Sequence, residues 1–182
     1  MPPHIALLRG INVGGHKKIA MADLRACVAG LGFGNVRTVL QSGNVVFDAG
    51  RRSPASLEAL LEREVARRLA LETEFFVRTA AEWRRIIEDN PFTTDAARDP
   101  GHLLVLCLKD APSKARVAAL EAAIMGRERV RVYERALYAV YPDGVGRSKL
   151  TLAVIDRVLG TSATGRNWNT VRKLEALTSG SA

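Results

Sequence analysis

The sequence predicts an α/β (α+β) protein of two tandem halves, each an antiparallel sheet with helices in the order β-α-β-β-α. Three observations carry this. An apolar run, HIALLR, leads through a glycine-rich loop into a segment with helical spacing. Two β-rich runs, NVRTVL and NVVFD, flank the short polar turn Gln41-Ser42-Gly43. The same succession recurs after residue 101, where HLLVLCL precedes a helical stretch and the pair RVRVYE and ALYAVY. A chain of 182 residues with 47% hydrophobic content has room for two small cores.

Residues 4–9 read as a buried strand. Met21, Leu24, Cys27, Val28 and Leu31 then recur at helical spacing, and Gly30 and Gly32 punctuate the end of that helix. Residues 35–40 and 44–48 form a hairpin. Ser53-Pro54 opens a second helix, with Ser as cap and Pro at the first helical position. Its apolar face is Leu57, Leu60, Leu61, Val65 and Leu69. EFFVR (74–78) closes the unit as a strand. The order β-α-β-β-α-β is that of the ferredoxin-like, or split βαβ, plait.

Thr79-Ala80-Ala81-Glu82 is a capping box opening a helix to about Asp89, and Asn90-Pro91 ends it. TTDAARDPG (93–101) reads as a polar linker. In the second half, a strand at 102–108, a helix at 110–124, strands at 129–134 and 136–141, and helices at 148–159 and 167–177 are expected. The domains are thus 1–78, a connecting helix and loop at 79–101, and 102–182 with an extra C-terminal helix.

No stretch nears the ~18 apolar residues of a membrane span, and no signal peptide is evident, so a cytoplasmic protein without membrane contact is expected. Cys27 and Cys107 lie within apolar patterns and read as reduced, buried thiols. His4, His16 and His102 show no metal-ligand spacing, so neither a metal nor a cofactor is expected. The formal net charge is +8, distributed as +3 over residues 1–50, −1 over 51–100 and +6 over 101–182. The excess falls on the segments with glycine-containing loops and would attract anions. Arginine outnumbers lysine 21 to 6, so a compositional bias explains the charge equally well.

The loop RGINVGGHKK has the strand–loop–helix setting of a phosphate-binding loop. Gly10 and Gly15 have the Walker A separation, but His16 holds the lysine position and Lys17 the hydroxyl position. The dinucleotide pattern fails at Asn12. What survives is glycine backbone freedom, a following helix N-terminus, and the charges of Lys17 and Lys18. The alternative is a tight connection whose glycines serve geometry alone. In a split βαβ unit the exit of strand one and the hairpin tip share an edge, so Arg9, Gly10 and Asn12 would meet Gln41, Ser42 and Asn44. GVGRSKL and TGRNWNT place Arg147, Ser148 and Lys149, and Arg166, Asn167 and Trp168, at expected helix starts, again suited to an anion. Ser148 as helix cap and Trp168 as core anchor are the structural alternatives. No catalytic residue can be named, because no acid pair, histidine or nucleophile elbow accompanies these loops.

ALLRGINVGG with the following Met-Ala-Asp-Leu-Arg, QSGNVVF, Asn90-Pro91-Phe92, GRSKL and RNWNTV stand in the same order as in the bacterial family called domain of unknown function 1697. The resemblance spans residues 4–178. It implies two ferredoxin-like halves and carries no activity with it. It marks Arg9, Gly10, Asn12, Gly14, Gly15, Gln41, Ser42, Gly43 and Asn44, then Arg147, Ser148, Lys149, Arg166, Asn167 and Trp168, as motif positions. His16 stands where a variable polar residue belongs. The first expectation is a module binding a small anionic or nucleotide-like ligand in a basic cleft between the halves. The second is nucleic-acid binding through phosphate contacts, without base stacking because the central strands of the first half carry Phe47 alone. The third is an enzyme acting on a phosphorylated or carboxylated small molecule.

Overall fold

The computed structural model describes residues 2–15 and 17–179. By internal contacts the chain forms two compact units, Met1–Arg85 with Leu174–Ala182, and Ile86–Lys173. His16, which carries no role in the sequence reading, lies outside the described residues.

The first unit contains β1 (Pro3–Leu8), α1 (Met21–Ala29), β2 (Gly34–Val39), β3 (Asn44–Asp48), α2 (Pro54–Leu69) and β4 (Phe75–Thr79). Its sheet has the order β2-β3-β1-β4, with every neighbouring pair antiparallel. This is the split βαβ arrangement that the element order predicts. Strand periodicity sends Ala6, Leu8, Val45, Phe47, Phe75 and Val77 to one face, where they join Leu24, Val28, Leu57, Leu61 and Val65 of the two helices. The opposite-facing Ile5, Leu7, Val46 and Phe76 are buried as well. Helix α2 starts as expected, with the Ser53 hydroxyl accepting from the Ser56 amide at 3.3 Å and proline in the first turn. Two of its glutamates, one turn apart, serve the sheet edge. Glu58 accepts from the Val77 amide at 2.8 Å and Glu62 from the Phe75 amide at 2.9 Å, so these β4 donors are satisfied at an edge.

The capping box forms reciprocally: the Thr79 amide donates to Glu82 at 2.8 Å and the Glu82 amide to Thr79 Oγ1 at 3.1 Å. It opens α3 (Ala80–Glu88), followed by α4 (Thr93–Arg98). The segment 93–101 was expected to be a polar loop. Most of it is this short helix, in which the Ala96 amide donates to the Phe92 carbonyl and the Asp99 amide to the Asp95 carbonyl.

The second unit repeats the plait with β5 (Leu103–Leu108), α5 (Lys114–Ala122), β6 (Arg129–Tyr133), β7 (Ala136–Val140), α6 (Leu152–Leu159) and β8 (Ala163–Asn167), in the sheet order β6-β7-β5-β8. Helix α7 (Trp168–Ser179) follows. Leu106, Leu108, Leu120, Val130, Leu137, Ile155 and Leu159 form its core. The Tyr138 hydroxyl donates to the Ile86 carbonyl at 2.6 Å. Three local expectations change. Helix α5 begins at Lys114, because Ser113 caps it and Pro112 precedes the helix. Helix α6 begins at Leu152, capped by Thr151, and not at Ser148. Strand β8 is absent from the sequence reading because ATGRN has weak strand propensity. It exists because its backbone pairs with β5 along Leu104–Leu108.

His4 lies on β1 with 1% exposure, directly opposite Phe47, and its Nδ1 has no hydrogen-bond partner. Burial pushes its pKa below 6.5, offset in part by hydrogen bonding with the Pro2 and Arg52 backbone and by the fields of Glu82 and Asp48. The folded state therefore binds fewer protons at this site than the unfolded chain. His4 contributes stability above the unfolded pKa, and that stability falls as pH drops below about 6.5, at no more than about 1.4 kcal/mol per pH unit. Urea titrations at pH 7.5 and 5.5 should show a larger loss in the native chain than in His4→Phe. Equal losses in both would assign the acid sensitivity to other groups.

Candidate functional site

The end of β1 is held from both sides. The Leu8 amide donates to the Gly43 carbonyl at 2.9 Å, and the Arg9 amide to the Glu74 carbonyl at 3.1 Å. The chain then turns through left-handed residues: Gly10, Asn12, Gly14, Gly15 and Lys17 all have positive φ. Asn12 is the brace of this loop. Its Oδ1 accepts from the Ile19 amide at 2.9 Å, and its Nδ2 donates to the carbonyls of Ile19 (3.0 Å) and Gln41 (2.7 Å). The Asn12 amide donates to the Lys17 carbonyl at 3.1 Å. An asparagine tolerates this backbone and mimics a peptide group, which accounts for the residue in this position. The expected meeting of the loop with the hairpin tip is thus made through Asn12 and Gln41. Asn44 and Ser42 serve the hairpin itself, with Asn44 Nδ2 donating to the Val39 carbonyl at 2.7 Å and to Ser42 Oγ at 3.0 Å.

Residues of the loop line two depressions that differ in their charged groups. One, of about 480 Å³, is lined by Asn12, Gly15, Lys18, Ile19, Ala20 and Gln41, with no carboxylate among the described residues. The other, of about 550 Å³, brings Arg9, Gly10 and Lys17 against Glu62, Glu72 and Glu74. There Arg9 pairs with Glu74 at 3.3 Å, and Lys17 Nζ donates to the Glu72 carbonyl at 2.8 Å. Arg9 and Lys17, two expected anion ligands, thus have these protein partners and share their depression with three carboxylates. Lys18 is exposed and has no partner among the described residues.

Helix α1 begins at Met21, close after Lys18, and the preceding cap residue Ala20 makes no side-chain capping bond. Side-chain oxygens cap the other long helices: Ser53 on α2, Thr79 on α3, Ser113 on α5, Thr151 on α6 and Asn167 on α7. The first-turn N–H groups of α1 lack that service and carry the positive end of the helix dipole, compensated in part by the exposed Asp23. Ile19 and Ala20 lie outside the motif positions of the sequence. The available signal was an alanine where a helix start normally shows Ser, Thr, Asp or Asn.

The second-half motifs are placed differently from expectation. Arg147 ends a three-residue 3₁₀ turn, Val145–Arg147, and Ser148 lies after it in extended backbone. The Ser148 hydroxyl donates to Glu128 and accepts from the Leu150 amide at 2.9 Å, so it caps no helix. Lys149 is exposed. Arg166 lies in strand β8, not at a helix start. It is 8% exposed and donates to Thr164 Oγ1 (3.1 Å) and the Gly165 carbonyl (2.8 Å). Burial lowers its pKa. Asn167 does cap α7, accepting from the Thr170 amide at 3.0 Å, and Trp168 is half-buried in the first turn. Among the described residues no group of three or more His, Cys, Asp or Glu is arranged to hold a metal. Cys27 and Cys107 are buried free thiols. No helix is long and apolar enough to cross a membrane.

The family model described as protein of unknown function DUF1697 matches residues 1–138, which include the braced loop, the hairpin tip, two strands of the second sheet and the start of β7. The chain belongs to the DUF1697 family. The solved structure of the conserved bacterial protein SP0830 from Streptococcus pneumoniae is similar to this DUF1697 chain, with a TM-score of 0.74 and 22% identity over 97% of this chain and 98% of that one. That likeness shows the shared fold. No curated protein matches the sequence.

Proposed function

We propose that this DUF1697 protein binds a small anionic ligand, nucleotide-like or simpler, in the depression bounded by Asn12, Lys18, Ala20 and Gln41. The observation that carries the reading is the start of α1. A nine-residue helix without a side-chain cap opens beside a lysine, in a depression where the described residues supply that lysine no partner and no carboxylate. Helix N-termini and ammonium groups both favour an anion, and both donate hydrogen bonds to its oxygens. The volume of about 480 Å³ falls in the range of small-molecule sites. A base-stacking nucleic-acid platform finds no support in the central strands, because Phe47 and Tyr138 are both fully buried.

The test is a titration of the full chain with sodium phosphate and with adenosine monophosphate, followed through backbone amide chemical shifts. Shifts should concentrate on residues 18–24 and 41. Lys18→Gln should weaken binding roughly ten-fold or more, as expected for a charge-assisted hydrogen bond, while the melting temperature stays unchanged. Affinity indifferent to Lys18, or shifts confined to other segments, would refute the site.

A further inference from the structure

We infer that the outer face of helix α2 binds the phosphate backbone of a nucleic acid without reading its bases.

Nothing in the linear charge points to this face. Residues 51–68 hold five arginines and three glutamates, within a segment, 51–100, that sums to −1. The fold sorts these charges onto two sides of the helix. Glu58 is buried and accepts from the Val77 amide, and Glu62 is half-buried and accepts from the Phe75 amide, so both turn to the edge of β4. Glu64 remains, with a side chain only 12% exposed, against Arg63, Arg67 and Arg68 at 3.4, 2.7 and 3.2 Å. One carboxylate thus faces three guanidinium groups, of which Arg63 and Arg67 are 67% and 62% exposed. Just before the helix, Arg51 is exposed with no partner among the described residues, and Arg52 lies over the Phe33 ring at 5.6 Å. Every exposed residue from 51 to 68 is Arg, Ser or Ala. Ala55, Ala59, Arg63 and Arg67 follow at four-residue spacing and form one ridge along the helix. The helix has 16 residues, a length of about 24 Å.

The chemistry of the face selects the partner. An arginine fork meets a phosphate with paired hydrogen bonds and is more weakly hydrated than an ammonium. The exposed residues of this stretch include no large apolar side chain. A protein partner is met through an apolar, charge-depleted centre, and a bilayer through inserted Trp, Phe or Leu. A polyanion held by charge alone needs neither. Base stacking requires exposed aromatics, which this face lacks. The dipole of α2 accounts for Arg67 and Arg68 in its last turn, but it disfavours Arg51 and Arg52 at its start. Helix stability alone therefore does not explain the five cations.

The test measures binding of the full chain to a fluorescein-labelled mixed-sequence DNA duplex, and to a mixed-sequence RNA single strand, by anisotropy at several salt concentrations. A dissociation constant of about 10⁻⁴–10⁻⁶ M near physiological salt is expected, alike for unrelated sequences. On the duplex, log affinity against log salt should fall with a slope of up to about −4.5, five phosphates at about 0.9 each. Arg63→Gln/Arg67→Gln should flatten that slope by about 1.8 and leave the melting temperature unchanged, because Glu64 keeps Arg68. Arg98→Gln/Lys114→Gln, which removes two exposed cations of α4 and α5, should leave the slope as it is. If Arg63→Gln/Arg67→Gln disturbs the fold, Arg51→Gln should flatten the slope by about 0.9. Absence of binding, or a slope indifferent to both Arg63→Gln/Arg67→Gln and Arg51→Gln, overturns the inference. Tighter binding of polyglutamate or of phosphatidylserine vesicles than of either nucleic acid at equal salt also overturns it, and would make the face a dock for an acidic protein or a membrane. The phosphate titration of the Lys18 depression reads a different set of residues, so the two proposals stand or fall separately.

Discussion

Replacing Gly43 by alanine should lower the stability of the protein by about 2–5 kcal/mol. Gly43 has φ +78°, where an L side chain is strained by about 1–2 kcal/mol. The added methyl would also lie 2.5 Å from Ile11 Cδ1 and 3.0 Å from Leu8 Cβ. Both neighbours are essentially fully buried, so neither can swing into solvent. Overpacking of this kind costs typically 1–3 kcal/mol. The Gly43 carbonyl receives the Leu8 amide, so relief by moving the backbone would loosen the end of β1 and the loop beyond it. Urea unfolding should show the loss, and the amide resonances of residues 8–20 should shift with it. A variant as stable as the native chain would mean that the hairpin tip can rearrange freely. Gly10 and Gly15 make a useful contrast. Their positive φ is equally unfavourable for alanine, but a Cβ there meets no atom within 4 Å, so only the strain contribution should appear.

Phe47→Ala should cost about 3–5 kcal/mol, the range for truncating a buried aromatic. Phe47 has no exposed surface and sits on the central strand β3. It stacks with Phe33 at 5.1 Å between centroids and with His4 at 6.0 Å. Its removal leaves a cavity in the center of the first core, between the strand pair β1–β3 and the segment leading out of α1. Water entering that cavity would also reach the imidazole of His4. The variant should therefore lose both stability and the excess acid sensitivity attributed to buried His4, as read by urea titrations at pH 7.5 and 5.5. A loss under 1 kcal/mol would show that the core closes over the gap.

Much of the fold is written in local pattern. The strands at 4–9, 35–40, 44–48 and 102–108 follow from dense apolar or β-branched runs. Ser53-Pro54 and Thr79-x-x-Glu82 start helices at the expected places because capping is a local hydrogen-bond exchange, complete within four residues. The linkage of loop and hairpin tip was also legible, since element order alone puts these two connections on one sheet edge. Asn167 as a cap follows from the same local logic.

What local pattern could not determine is who partners whom at longer range. ATGRN becomes strand β8 because β5 offers it an edge, a contact some sixty residues away in sequence. Arg166 is consequently buried in a sheet instead of marking a helix start. Ser148 looks like a cap, yet its hydroxyl goes to Glu128 from β6's approach, and Thr151 takes the capping role three residues later. The clearest case is the glycine-rich loop. Its sequence joins Arg9, Lys17 and Lys18 in one basic run. Only the packing of α2 and the start of β4 brings Glu62, Glu72 and Glu74 against the first two. Charge along the chain is a one-dimensional property, whereas the field at a site depends on side chains gathered through space. The sequence by itself therefore determined that the chain has two plaits and that the glycine-rich loop meets the hairpin tip. The tertiary structure decided which of the loop's cations stand against carboxylates, because Glu62, Glu72 and Glu74 come from segments more than forty residues away.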